Sequence, residues 1–557
     1  MRYISTLLLP FFIFLSFFDI NDSYAQSTYA GVYSILQTNC GGCHNSNTYS
    51  GQLDLSGTES QVYDNLVNKN PVNPAALAKG DKLITPGYPD RSFLIRKCNN
   101  NNWDPSYTLD IAEGAMMPEN PQTPLSNVEL EKIRQWVLFG APKTGVVIQD
   151  STLNRFYGGL GMVAPPIPLA PLPSEGMQVR LGRVFQEPGT EVEYFKKHDL
   201  RLPDSLEVNR VEVFMNTQSH HYIIYKFNSG VAGNFPEGLR KPNQNPSGNA
   251  TTFVTSVQFS YNSLLPDGTA FVWPQGTVLD LNYHILNYSQ DSVLAADAYA
   301  NIYTQPKGTA QAEMHSDLVL FSGSFNPQIF NIPSDSVEKT FTDPYFKANS
   351  NDEMNIWLLT SHTHKWGKDY DIYKRNPNGT KGDQIYEGFY NVDYTFNQGY
   401  YDFSHPSIRL FDPMETIKMS EGLIHEAKFR NTGTSPAYFG LTTEDEMMLF
   451  IVQYTLNWNG LETGKTEHKN EDKLDIYPNP YHNSTNIVYS LQHSSEIILE
   501  VFNILGNKVY TLVQKEQPAG DYRYNFSAKG LGLSGGVYIV NFTVNGSTIS
   551  KKVVELN

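Results

Sequence analysis

The 557-residue chain carries 41 Lys and Arg against 57 Asp and Glu, a formal charge of −16. No basic run is longer than a pair such as Lys551-Lys552, which argues against nucleic acid or an anionic membrane surface as a partner. With only Cys40, Cys43 and Cys98 the chain is no disulfide scaffold, and its length calls for three or four separately packed domains.

Abundant Tyr (34) and Phe (31) with frequent Gly and Pro predict a mainly β protein of short strands and turns. Residues 1–25 read as a secretory signal: Arg2, an apolar run from Leu7 to Phe18, then small residues around Ser23-Tyr24-Ala25. The run is too short for a membrane anchor.

Val32, Ile35 and Leu36 then recur at helical spacing, and the helix runs into Cys40-Gly41-Gly42-Cys43-His44. C-x-x-C-H in an exported chain reads as covalent c-type haem attachment, with the thiols as thioethers and His44 as an axial ligand. A local disulfide or half of a zinc site is the alternative, but no further Cys or His lies close enough for zinc. The second axial ligand is assigned to Met117, with Met116 as its competitor. A final helix starts at Ser126 with Glu129 as capping-box partner and Leu125 against Leu130 as staple. It buries Leu130, Ile133 and Val137 and stops at Gly140 and Pro142. Cys98 is left as a buried hydrophobe.

Residues 27–144 resemble a family of small c-type cytochrome domains. The likeness is carried by the CGGCH, by Pro86-Gly87-Tyr88-Pro89-Asp90-Arg91-Ser92, by Met117-Pro118, and by the Trp136 helix ending in Gly140-Ala141-Pro142. It implies a small α-helical electron carrier.

A linker over 145–176 contains the extended Pro-rich stretch Pro165–Pro173. Beyond it, Val208–Phe214, Tyr222–Phe227, Thr277–Leu286 and Ile356–Leu359 predict antiparallel sandwiches. Histidines fall in three informative places. His220 and His221 are adjacent, so both can reach one ion only where a strand is irregular. His284 shares a polar face with Asp280 and Asn282, a pattern that also suits a solvent-facing strand. His362 and His364 sit at i and i+2 of an extended segment and so point the same way. Met447, at the start of an apolar strand, fits a core methionine equally well, yet a thioether with two imidazoles is a soft, mixed set that suits copper.

Together these places resemble the copper type II, ascorbate-dependent monooxygenases, the family of peptidylglycine α-hydroxylating monooxygenase and dopamine β-hydroxylase. The likeness rests on His220-His221, His284, His362-Thr363-His364 with Gly367, and Asp445-Glu446-Met447, in family order. It implies two facing, jelly-roll-like sandwiches, 177–331 and 332–458, across a solvent-filled cleft. One copper on His220, His221 and His284 would store an electron; a second on His362, His364 and Met447 would bind O2 and hydroxylate a C–H bond. Met448 stands where the animal members have cysteine. Thr360, Leu449 and Ile451 stand where the peptidylglycine enzyme grips a carboxylate, which points to a more apolar substrate. His198, His315, His405 and His425 are alternative ligands, His315 first among them.

After a polar linker, 459–472, residues 473–557 carry Tyr477-Pro478-Asn479-Pro480, Val501–Gly506, Gly535–Tyr538 and Ser550–Val553. They resemble the C-terminal sorting domain of bacterial type IX secretion, which implies a small Ig-like sandwich, passage across an outer membrane to the cell surface or beyond, and the secretion machinery as a partner. The expected function is a secreted copper monooxygenase with two copper ions and one haem c. It would act on O2 and a small substrate, with an external donor reducing the haem. The alternative is a surface electron-transfer haem/copper protein without oxygenase activity, or a module that merely stores copper.

Overall fold

The computed structural model describes residues 26–99, 104–119, 123–162, 167–216, 219–242, 250–257, 261–388, 408–458, 473–491, 495–503, 507–518, 520–544 and 547–556. The signal segment, His405 and the 459–472 linker lie outside the described residues. The chain is mainly β, with several sheets and, among the described residues, no barrel. Two compact units are distinguished. The first takes in Met1–Thr85, Pro89–Val137 and Ala141–Asp150, and the second Pro86–Tyr88, Leu138–Gly140 and Ser151–Asn557.

The first unit is helical. α1 (Thr28–Cys40) is capped by the Ser27 side chain accepting the Ala30 N–H, and it buries Val32 and Leu36. α2 (Glu59–Leu66), α3 (Pro74–Ala78) and α4 (Phe93–Cys98) follow, and α5 (Asn127–Leu138) closes the unit. α5 begins with the predicted reciprocal cap: Ser126 N–H donates to Glu129 Oε2 (2.8 Å), and Glu129 N–H donates to Ser126 Oγ (3.3 Å). Leu130, Ile133, Trp136 and Val137 pack with Tyr29, Val32 and Leu36 around Cys98.

In the second unit, a five-stranded sheet runs in the order Leu239–Arg240, Thr190–Asp199, Val278–Asn287, Ser219–Phe227, Thr251–Val257. A nine-stranded sheet runs Gly176–Arg180, Ala298–Gln305, Leu206–Met215, Thr269–Trp273, Ala312–Leu320, Leu449–Leu456, Glu353–His362, Ile408–Lys418, with Tyr261–Leu264 beside Leu206–Met215. Alternation decides which side each residue serves. Tyr222, Ile224, Leu281, Tyr283 and Ile285 turn into one core with Val211, Val213, Ala300 and Ile302. Ile356, Leu359, Phe450 and Val452 turn into another, built with a four-stranded sheet containing Gly367–Arg375 and Leu423–Phe429.

One strand links the two cores. Ala312–Leu320 pairs with Thr269–Trp273 through Thr269↔Ala312 and Ala270↔Glu313, and with Leu449–Leu456 over its whole remaining length. The residues on the opposite faces, Ile223, Phe253, Leu358, Met447, Leu449 and Ile451, form a separate apolar seam. Burying that seam, at about 25 cal/mol per Å², holds the five-stranded sheet against the far half of the nine-stranded one. The 475–555 segment adds a three-stranded and a four-stranded sheet with a core of its own, including Ile487, Leu499, Val540 and Phe542.

A buried histidine cluster and its cavity

The strand Ser219–Phe227 supplies two adjacent histidines on the same side because its ladder is irregular there. His221 pairs with His284, but the next residue, Ile285, pairs with Ser219, so His220 is the extra residue of a β-bulge. A regular strand would turn His220 into the core beside Tyr222.

His284 lies opposite His221, and its polar face is buried rather than solvated, contrary to the plain reading of the stripe. Asp280 receives two 2.7 Å hydrogen bonds from the buried Arg240 Nη2, and Asn282 Nδ2 donates to Glu193 Oε1 (2.8 Å). His284 Nε2 lies 2.7 Å from Glu191 Oε1, which also accepts the Thr443 N–H and hydroxyl at 2.9 Å. Burial works to raise the Glu191 carboxyl, and the bonds to His284 and Thr443 outweigh it and hold it below the usual range. With Nε2–H donated to this carboxylate, His284 Nδ1 carries the lone pair. That Nδ1, like His221 Nδ1, is buried with no hydrogen-bond partner.

His362 is the last residue of its strand, and His364 lies just past it. What fixes the loop is Glu446, the middle residue of Asp445-Glu446-Met447, whose role the motif alone did not give. Glu446 is fully buried and accepts backbone N–H groups from His364, from Trp366 (3.0 Å) and from Met447 (3.0 Å). Desolvation dominates its carboxyl and pushes it up to about 8 against the pull of these N–H groups. His364 Nδ1 meets Asp445 O at 3.1 Å, which leaves its Nε2 to face inward.

The expected cleft does not separate the two sets of histidines. Ring centroids of His220 lie 5.1 Å from His284, 5.1 Å from His362 and 5.2 Å from His364, and His221 lies 5.9 Å from His362. One ligating nitrogen from each of His220, His362 and His364 falls within 4.8 Å of the others. The physical reason is the linking strand and the apolar seam, which press the two faces together. Burial first, then mutual repulsion among the rings, drives His220, His221 and His362 well below the ordinary imidazole range, and His364 falls to about 4. At neutral pH these rings are uncharged and present lone pairs, the state a metal requires. Buried imidazole nitrogens without partners cost about 1–3 kcal/mol each. A cluster of them fits a bound soft cation better than an apolar core.

Met447 is buried in the seam beside this cluster, and its neighbour Met448 turns into the adjacent core. A cavity of about 190 Å³ opens between the sheets, lined by His221, His362 and Met447 at one side and by Ile223, Leu318 and Leu449 among its apolar walls. Thr360 and Ile451 also line it, as does Glu193. Of the alternative histidines, His315 packs on Tyr454 and His425 Nδ1 bonds Tyr370 Oη at 2.6 Å, while His198 pairs opposite Leu279.

In the helical unit, Cys40 ends α1, and the backbone turns so that Cys43 and His44 N–H groups both return to Cys40 O. The thiols are free, Cys43 exposed and Cys40 half-buried. His44 Nδ1 meets Ser50 O at 2.8 Å, which assigns the donor to Nδ1 and leaves Nε2 as acceptor, the form an axial ligand takes. This donor set fits a covalently held haem. Met117 lies in the loop before α5, its N–H on Lys97 O at 2.6 Å.

Fold and site therefore define a mainly β, multi-sheet protein with a buried five-histidine cluster beside an apolar cavity. Residues 475–555 match the family described as the secretion system C-terminal sorting domain. The chain is thus exported by type IX secretion to the cell surface or extracellular space, and it engages that machinery. No curated protein matches it. Among solved structures it is similar to a β-glucuronidase from Parabacteroides merdae with glycerol in the active site, at 8% identity over 45% of this chain and 30% of that one, with a TM-score of 0.11. A Faecalibacterium prausnitzii β-glucuronidase gives 10% identity over 39% of this chain and 36% of that one, with a TM-score of 0.12. One from Ruminococcus gnavus in complex with uronic isofagomine gives 12% over 39% and 34%, with a TM-score of 0.11. The chain spans about a third of the length of these enzymes, and overlays this poor guide neither fold nor function.

Proposed function

We propose that the chain is a secreted copper-dependent monooxygenase that hydroxylates a C–H bond of a small apolar molecule with O2, its electrons entering through a c-type haem on the N-terminal unit. The observation that carries this reading is the convergence of His220, His221, His284, His362 and His364 on one buried cluster that shares a cavity with Met447. Those six side chains would hold two copper ions. Bound copper supplies one-electron redox chemistry and activation of O2.

The rest is work for the chain's own residues. Glu191 orients His284, and Glu446 fixes the loop that carries His364 and sets the backbone of Met447. The apolar walls exclude bulk water from the reacting face and seat the substrate. Thr360, Leu449 and Ile451 offer no cation for a carboxylate, so an amidating role on peptide termini is disfavoured. Cys40, Cys43, His44 and Met117 would hold the haem, and its role as electron input is inferred from the fusion of the two units in one chain.

The test is oxygen uptake by copper-loaded, reduced protein across a panel of small hydrophobic compounds, with Met447→Ile as control. An oxygenase consumes O2 with substrate and loses that turnover in Met447→Ile. A pure electron carrier shows haem-to-copper electron flow unchanged by the substitution and no substrate-dependent uptake. Stopped-flow spectra in which reduced haem fails to reoxidise in the presence of copper, O2 and substrate would remove the haem from the pathway.

A further inference from the structure

We propose that Glu193 sets the substrate class of the cavity. The site takes a small apolar molecule through one hydrogen-bond donor, a hydroxyl or an amine, and rejects carboxylates. This deepens the oxygenase reading and rests on it for the word substrate, but the binding selectivity itself stands on the cavity alone.

Glu193 lies on the strand Thr190–Asp199, where Tyr194 turns into the core and Glu193 and Phe195 turn to the cavity. It is 8% exposed and is the one acidic side chain among the described residues lining the space, and no Lys or Arg joins it there. Its Oε1 accepts Asn282 Nδ2 at 2.8 Å, which fixes the rotamer. Its Oε2 is buried without a hydrogen-bond partner. Of the other polar groups on the wall, Asn282 is engaged with Glu193 and Ser361 Oγ with Tyr386 Oη at 3.0 Å, while His221 and His362 belong to the histidine cluster, and Thr360 and Tyr225 complete the polar lining. Opposite stand Leu318, Leu320, Leu449 and Ile451.

An oriented carboxyl acceptor facing the apolar end of the chamber selects by what it leaves unpaired. A ligand that brings one N–H or O–H satisfies Oε2 while its hydrocarbon body fills the chamber. An isomeric ether leaves the acceptor bare and binds about tenfold more weakly or worse. A carboxylate finds no Lys or Arg among the described residues of the wall and would place its oxygens against the Glu193 carboxyl.

The experiment measures equilibrium binding by calorimetry to the full-length secreted chain, copper-loaded and reduced under anaerobic conditions so that no turnover occurs. Four matched probes are used: 1-hexanol, hexylamine, methyl pentyl ether and hexanoate. The expected ranking puts the alcohol or the amine at least about tenfold above the ether, with hexanoate unbound. Alcohol alone, or amine alone, identifies which donor the site takes. Glu193→Leu should abolish the preference while still binding the ether, which also shows that the cavity persists, and Glu193→Gln should keep the alcohol. Binding of hexanoate, an ether as tight as the alcohol and the amine, or an unchanged ranking in Glu193→Leu overturns the proposal. A chain that shows the ranking yet consumes no O2 with any donor-bearing probe overturns the oxygenase reading and leaves Glu193 in place.

Discussion

The rings of His220 and His362 lie with centroids 5.1 Å apart, although one sits in a bulge of the five-stranded sheet and the other ends a strand of the nine-stranded sheet. Two cupric ions held among rings this close interact magnetically. Fully loaded protein is expected to give an EPR intensity well below its copper content by elemental analysis. His220→Ala, which removes the ring that lies nearest to both His362 and His364, should restore intensity to the bound copper. Two independent signals accounting for all the copper in the unmodified protein would contradict a single cluster.

Glu446 gathers the N–H groups of His364, Trp366 and Met447 onto one buried carboxyl group. Glu446→Ala strands these donors, and a buried donor left unpaired costs about 1–3 kcal/mol before the loop relaxes. The expected result is a loss of about 2–4 kcal/mol in denaturant unfolding of the second unit, with weakened copper binding. An unchanged midpoint would show that the loop is held by other means.

Glu191 is tied to the cluster by its hydrogen bond to His284 and is itself held by Thr443. Glu191→Ala frees the imidazole to rotate and to change tautomer, which for ligands oriented in this way costs roughly 10–100-fold in metal affinity. Competition with a copper chelator measures it. Thermal stability of the metal-free chain should change much less than its copper affinity.

The helical unit carries an acid-sensitive device of its own. Glu113 is buried with Arg96 and within 3.1 Å of Lys79, while Asp81 lies 2.9 Å from the same guanidinium. Burial works to raise the Glu113 carboxyl, and Arg96, the Asp110 N–H and Lys79 together outweigh it and hold it low. A carboxyl group depressed on folding contributes stability that is fully present above its unfolded value of about 4.3 and is lost as pH falls through the folded value. Unfolding of this unit should therefore become easier below about pH 4. In Glu113→Gln, less stable at neutral pH, that part of the acid dependence should vanish.

The capping box at Ser126 and Glu129 was legible from local chemistry alone, since it depends only on residues near in sequence. His362 and His364 do come together as their spacing suggests, yet His364 lies past the strand end on a loop that the distant Glu446 fixes. The bulge at His220 is different, because an irregularity appears only against its partner strand. So does the burial of Asp280, Asn282 and His284: their alternation is the same whether the polar face meets water or another sheet, and the covering sheet comes from residues past 312. Glu191 left no signal and Glu446 only its place in Asp445-Glu446-Met447, since a carboxyl group that accepts hydrogen bonds across the fold follows no period. The closeness of the two histidine sets was hidden for the same reason, being a property of how one sheet continues from Thr269–Trp273 into Leu449–Leu456.

That continuity has a narrow waist. Only two residue pairs join Thr269–Trp273 to Ala312–Leu320, against seven between Ala312–Leu320 and Leu449–Leu456. A sheet twists most easily where the fewest ladder bonds cross it, so the waist is the natural pivot of the second unit. Rotation about it would part the apolar seam like a hinged cover, admitting a guest to the chamber and drawing His220 away from His362 in the same stroke.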